Sequence, residues 1–384
     1  MKGTAPRGRT LVEDLHLAGN LEQSPKNRAE NIMILDMVRN DLGRLAPPGR
    51  VQVEEICTLE KYPSVWQLTS TVTAHSKASL ANIFQALFPC ASITGAPKVK
   101  TMQIITATET RPRRIYTGTF GWLAPGRQAH FNVAIRTVLI DQLHKCATYG
   151  VGAGITWDSD SADEYRECLD KAAVLSRPGV DFALIETLRW TPNKGYFLLP
   201  EHMARLQASA EYFDIACCGE HVNNYLQALT GNFPATPQRV RFLLHNDGRM
   251  DSTFATIDPA LSTPLKICLA RQPVDSRNAW LYHKTTQRRM YEIRLAEAEE
   301  VDEVVLWNER GEVTECCTAN LVVCISGKLV TPPVNCGLLA GTYRDFLLKR
   351  GILTEQILTP DDLLNTSRIF LINAVRKWRR AVLG

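Results

Sequence analysis

Apolar residues recur near helical spacing through NRAENIMILDMVRNDLGRL, directly after Ser24-Pro25, which predicts a helix opened by the serine. VQVEEICTL and WQLTSTVTAH read as strands, SLANIFQALFP as a helix, and HFNVAIRTVLI as one further strand. SADEYRECLDKAAVL reads as a helix begun by polar caps. The pattern breaks at Pro178-Gly179, which predicts a linker. Beyond it the texture changes. FALIETLRW and GYFLL suggest a short hairpin, PEHMARLQASAEYF a helix, and RVRFLLHNDGRM a hairpin turning at Asp247-Gly248. EVVLWNERGEVTECCTANLVVCISGKLVTPP reads as a meander with turns at Arg310-Gly311 and Ser326-Gly327. Helices are expected to close the chain. The pattern predicts two mixed α+β or α/β domains, residues 1–176 and 180–384.

Composition narrows the class. The chain has 384 residues, 45% of them hydrophobic, enough for two substantial cores. A net charge of +4 is too slight to imply nucleic-acid or membrane binding. No apolar run reaches the length of a membrane span, and no signal peptide is evident. Eleven cysteines without a CxxC pair suggest reduced thiols and a cytoplasmic protein. The basic RKWRR near the end reads as a solvated helix end.

Glu164, Glu167 and Lys171 fall on one face of a predicted helix. Such spacing is most often a solvated face, but paired carboxylates also suit Mg²⁺. The turn YGVGAGITW precedes that helix, and its exposed amides could hold a carboxylate or phosphate. Arg136 and Lys171 offer cations to an organic anion.

MKGTAPRG, NRAENIMILDMVRNDLGR, SITGAPKVKTMQII, FNVAIRTV and GVGAGITWDSDSADEYRECLDKA, in that order, resemble the chorismate-utilising enzymes. The resemblance covers residues 1–175 and implies the C-terminal part of a layered α/β fold. Lys2, in MKGT, is similar to the lysine of aminodeoxychorismate synthase component I, where anthranilate synthases typically have alanine. It implies that Lys2 adds to the chorismate ring at C2 before ammonia enters at C4. Glu30, Glu164 and Glu167 match the family's Mg²⁺ carboxylates. Arg136, Lys171 and the backbone of Gly152 to Gly154 match groups that hold chorismate's carboxylates. Thr94 and Tyr116 fall at substrate-contact positions. The sequence departs from the pattern at Cys90-Ala91, where the family has two glycines. Gln67 stands in place of a common histidine, and Asn27 in place of a common outer carboxylate. The motif lies inside the chain in the resembled family, so the first half is expected to be truncated, with an ill-held Lys2 and impaired chemistry.

In the second half, Lys284 lies among polar and aromatic residues, where a surface lysine is the ordinary reading. Glu315 alternates with Val313 and Cys317 on a strand, and Gly341-Thr342 opens a helix able to bind an anion. An amine, a carboxylate and a helix N-terminus are what pyridoxal phosphate requires. Their order resembles the class IV aminotransferases, of fold type IV, over residues 182–384. The resemblance implies Lys284 as the cofactor's lysine and Glu315 as partner of the ring nitrogen. Arg205, Gly341, Thr342, Asn373 and Ala374 would contact the phosphate. Thr187 falls near a threonine that assists proton transfer in the lyases of the class.

Together the two resemblances imply 4-aminobenzoate formation for folate: amination of chorismate, then loss of pyruvate from aminodeoxychorismate. They also imply a glutamine amidotransferase supplying ammonia, and a homodimer formed through the second domain. Three alternatives stand beside this: a branched-chain or D-amino acid aminotransferase with a remnant first half, an anthranilate-type synthase, and a non-catalytic fragment that complements a separate chain.

Overall fold

The computed structural model describes residues 1–157, 159–176, 181–258, 263–298, 300–366 and 368–384. The expected linker at Pro178-Gly179 lies outside the described residues. The chain divides into two compact units, one of residues 1–7 and 15–179, the other of residues 8–14 and 180–384.

The first unit holds a three-stranded antiparallel sheet in which Val65–Ala74 lies between Thr4–Pro6 and Val51–Lys61. The helix Pro25–Gly43 packs on it, its first turn capped by the Ser24 side chain accepting from Asn27 N. A helix not evident in the sequence, Leu11–Gln23, precedes it. Leu21 and Ala18 from that helix meet Trp66 and Leu68 of the sheet in a small apolar cluster. HFNVAIRTVLI forms two strands rather than the one expected, Gln128–Val133 and Val138–Asp141, each in its own hairpin. The interruption falls at Arg136, whose φ of 51° is left-handed and cannot continue a strand. The helix Ser161–Ala172 forms as its polar start suggests.

The second unit has two sheets. In the first, all antiparallel, Ala183–Thr191 lies between Gly195–Tyr196 and Gln238–His245, with Met250–Thr256 at the edge. Strict alternation sends Val240, Phe242 and Leu244 to one face, with Leu184 and Leu188 beside them. The helices Leu199–Phe213 and Gly219–Leu229 cover that face with Leu206, Ala210, Val222 and Leu226. Ile185, Thr187, Arg239 and Arg241 are left on the opposite face, with Thr187 in register with Arg241.

The other sheet is mixed and eight-stranded. Its strands run in the order Val313–Cys316, Glu303–Trp307, Leu265–Leu269, Lys377–Leu383, Ile369–Asn373, Asn320–Ile325, Lys328–Thr331, Thr354–Glu355. The chain therefore closes on strands, not on the expected helices. RKWRR is not a helix end: Lys377 to Arg380 lie in a strand near the middle of the sheet, with Trp378 and Arg379 half-buried. Val305, Leu321, Val323, Ile369 and Ala381 form its core.

Candidate functional site

A cavity of about 520 Å³ opens between the sheets of the second unit, and every residue expected there lines it: Thr187, Arg205, Lys284, Glu315, Gly341, Thr342, Asn373 and Ala374. Lys284 is fixed through its backbone. Its carbonyl accepts from Ile185 N at 2.7 Å, and the next residue, Thr285, bridges to Leu184. Burial, reinforced by the Arg205 charge, brings its ammonium down to about 8. A neutral amine is thus within reach near physiological pH.

Glu315 is buried on the strand Val313–Cys316. It accepts from the Tyr291 hydroxyl at 2.9 Å, from Leu339 N at 3.3 Å and from Asn320 Nδ2 at 3.3 Å. Burial outweighs these donors and pushes its carboxyl up to about 7, suited to sharing a proton with a weakly basic ring nitrogen. Gly341 caps the helix Thr342–Lys349 without a side-chain partner. Its Asn320 neighbour approaches so closely that a Cβ would strike the amide oxygen. With no side chain capping it, the start of this helix lines the cavity at Gly341, Thr342 and Tyr343, where its first amides are available to an anion. Asn373 turns its side-chain oxygen onto Val375 N and Arg376 N, so it shapes the loop carrying Ala374. Amine, carboxylate and anion seat share one cavity, and this donor set fits pyridoxal phosphate.

Several residues of the pocket carry no obvious signal in the sequence. Tyr291 and Asn320 hold Glu315. Arg239, Arg241, Arg376 and Arg379 line the same cavity as Lys284. Glu186 and His202 lie behind Arg205 and bond to it or to each other. A carboxylate amid the apolar run of FALIETL, and a histidine three before Arg205 on one helix face, were the available clues.

In the first unit, Lys2 is not frayed. Its amide donates to Leu68 O at 3.0 Å, and its carbonyl accepts from Asn31 Nδ2 at 2.7 Å. Its ammonium meets Glu30 at 3.0 Å, and a Cβ at Gly154 would strike that ammonium. Gln67 bonds Gly3 O and accepts from Arg136, joining that arginine to the Lys2 segment. Lys171 bonds Gly152 O at 3.0 Å and Glu167 at 2.8 Å, while Tyr116 lies under Gly150 and Gly152. Thr94 turns its hydroxyl back to Cys90 O and Ala91 O.

The expected Mg²⁺ carboxylates do not form a ready site. Glu30 is paired with Lys2, Glu167 with Lys171, and Glu164 accepts from Ser159 Oγ at 2.7 Å. Among the described residues no three histidine, cysteine, aspartate or glutamate side chains come close enough to hold a metal.

Residues 1–177 match the family model of chorismate binding enzymes. Over 173 residues the chain is 43% identical to aminodeoxychorismate synthase component 1 of Klebsiella aerogenes, covering 44% of this chain and 38% of that one. It is 39% identical over 176 residues to anthranilate synthase component 1 of a Synechocystis strain, covering 44% and 34%. The chain thus spans well under half the length of these relatives. A solved structure from Mesorhizobium loti, described as that of an amino-acid aminotransferase, is 35% identical with a TM-score of 0.51. It is covered completely and spans 53% of this chain. The model of class IV aminotransferases matches residues 183–382, just over half of the chain. The protein is a two-part enzyme-family chain whose larger part belongs to the class IV aminotransferases.

Proposed function

We propose that this chain forms 4-aminobenzoate. Its second unit removes pyruvate from 4-amino-4-deoxychorismate, and its first carries the groups that aminate chorismate. The observation that carries the reading is the set of arginines, Arg239, Arg241, Arg376 and Arg379, lining the cavity of Lys284. Guanidinium groups pair well with carboxylates, and aminodeoxychorismate has two. A branched apolar side chain gains nothing from such a wall.

Pyridoxal phosphate, when bound, supplies an electron sink. The chain's own groups then do the rest. Lys284 Nζ, its ammonium brought down to about 8, would take the proton from the ring carbon that bears the amine and pass it to the departing enolpyruvate, which leaves as pyruvate. Thr187, in register with Arg241, places its hydroxyl in the same cavity to assist. Glu315 keeps a proton on the ring nitrogen. Arg205 and the Gly341-Thr342 amides hold the phosphate, with Asn373 and Ala374 completing the seat.

In the first unit Lys2 is the nucleophile, its ammonium 3.0 Å from the Glu30 carboxylate. Arg136, Lys171, Tyr116, Thr94 and the Gly152–Gly154 backbone serve chorismate. The Mg²⁺ role of Glu30, Glu164 and Glu167 is also part of the proposal. It requires their present pairings to open, so calorimetry should detect Mg²⁺ binding only when chorismate is present. A glutamine amidotransferase supplying ammonia, a homodimer through the second unit and a cytoplasmic setting complete the reading. Among the described residues, no helix is long and apolar enough to cross a membrane.

A second reading is favoured by the Mesorhizobium likeness: an amino-acid aminotransferase with a remnant first unit. Assay decides. Purified protein with pyridoxal phosphate should release pyruvate and 4-aminobenzoate from aminodeoxychorismate. Transamination of branched-chain amino acids with no pyruvate release would sink the lyase reading. Chorismate with an ammonium salt tests the first unit separately.

A further inference from the structure

Glu186 is anomalous. It lies on the helix-facing side of Ala183–Thr191, between Leu184 and Leu188, where the sheet otherwise buries apolar side chains. It is 3% exposed. A carboxylate in such a place is costly unless its oxygens are fully engaged, and here they are. Arg205 Nε reaches Oε1 at 2.9 Å and Arg205 Nη2 reaches Oε2 at 2.6 Å, while His202 Nδ1 reaches Oε2 at 2.6 Å. Burial pushes the carboxyl up, but the Arg205 charge and His202 override it and hold it at about 2.

The chain of contacts continues. His202 is itself 1% exposed, and its Nε2 lies 3.2 Å from the Thr342 hydroxyl. One buried carboxylate therefore reaches both side chains expected to meet the phosphate, Arg205 directly and Thr342 through an imidazole. We propose that Glu186 and His202 are positioning residues that preset the phosphate seat of this pocket. The proposal rests on the pyridoxal phosphate reading and extends it to the groups that hold Arg205 and Thr342 in place.

The polarity of the network shows how it would act. Arg205 has five N–H donors in a planar fork. Glu186 takes two and Ala340 O a third, at 3.2 Å, which pins the plane and leaves two for an anion. His202 stands between the carboxylate and the Thr342 hydroxyl, its Nδ1 against Glu186 Oε2 and its Nε2 against Thr342 Oγ1, so the seat of the imidazole fixes that of the hydroxyl. Without Glu186, both the Arg205 plane and the imidazole lose their common anchor.

The test compares binding of pyridoxal phosphate with that of pyridoxal, which lacks the phosphate, followed by absorbance and by ³¹P NMR of the bound phosphate. In Glu186→Gln a donor faces the donors of Arg205 or His202. We expect pyridoxal phosphate to bind about 10–100-fold more weakly, with a shifted phosphorus resonance and unchanged pyridoxal affinity. Thr342→Val, which removes only the hydroxyl, should reproduce the selective loss to a smaller degree, and Thr342→Ser should restore it. Should Glu186→Gln not fold, the valine and serine pair decides alone. Equal weakening of both ligands, or a valine variant like wild type, overturns the positioning role. Failure of the wild-type protein to bind pyridoxal phosphate overturns the cofactor reading and this proposal with it.

Discussion

The two units carry recognisable chemistry at similar density, yet they support it differently. In the second, four clusters of buried apolar residues surround the pocket, and its key carboxylates are 3–5% exposed. In the first, among the described residues, one small cluster joins Ala18, Leu21, Trp66 and Leu68. The helix Lys98–Thr108 buries no residue, and Trp122 and Trp157 are 54% and 99% exposed. Lys2, Glu30 and Gly154 are brought together all the same, by backbone pairing to Leu68 and by Asn31. Hydrogen bonds along a strand are thus enough to collect reactive groups. Shifting their proton affinities takes exclusion of water, and the large shifts at candidate site groups, those of Lys284 and Glu315, belong to the second unit.

The largest effect that could break this contrast is at Lys284. Lys284→Ala should abolish the visible absorbance of bound pyridoxal phosphate and lower turnover by ~10³-fold or more. An unchanged spectrum would remove the second unit's claim to an active centre. Next comes packing. Phe242→Ala, in the fully buried face of the second unit, should cost about 3–5 kcal/mol in urea unfolding. The matching change in the first unit, Trp122→Ser, should stay within about 0.5 kcal/mol. Comparable losses would show that the first unit packs as tightly as the second.

Acid supplies a third test. The Glu186 carboxyl is held at about 2, below its unfolded range, so its contribution is complete above about pH 4.5 and is lost as pH falls toward 2. Hydrogen exchange along Ala183–Thr191 should therefore accelerate across that interval, and Glu186→Gln should flatten the response. Lys284 destabilises instead, yet with the same direction of pH dependence. Its ammonium is depressed to about 8, so burying it costs stability below pH 8, and the cost is relieved as pH rises toward 10.5. The smallest effect is expected at Lys2. Lys2→Met removes a partly exposed pair with Glu30 and should change thermal stability by about 1 kcal/mol or less.

Much of the second pocket was legible because its groups are of types that side-chain chemistry singles out: a lysine, a strand glutamate, a glycine before a helix. Its supporting layer was not. Glu186 occupies a position where period-two alternation calls for an apolar residue, and only its pairing with a helix one turn from Arg205 explains it. Arg239 and Arg241 read as solvent-facing charges of a half-buried strand, since nothing local shows that the outer face lines a cavity. The closing strands were mistaken for helices because RKWRR gives no clear alternation by itself. The strand it opens is held at its far end by Ala381–Leu383 pairing with Leu265–Ile267, residues more than a hundred positions away. In the first unit the motifs identified side chains correctly placed near one another, but the carboxylates expected to share a cation are spent on separate partners.

The placement of Lys377–Leu383 governs how the molecule can be made. This strand is wedged between Leu265–Leu269 and Ile369–Asn373, and Gly384 N donates to Ile267 O. Without it the large sheet is two fragments with an open seam, so the second unit is complete only once this strand is in place. A nonsense codon ahead of it would leave both fragments with bare edges, prone to clump and be cleared by proteases.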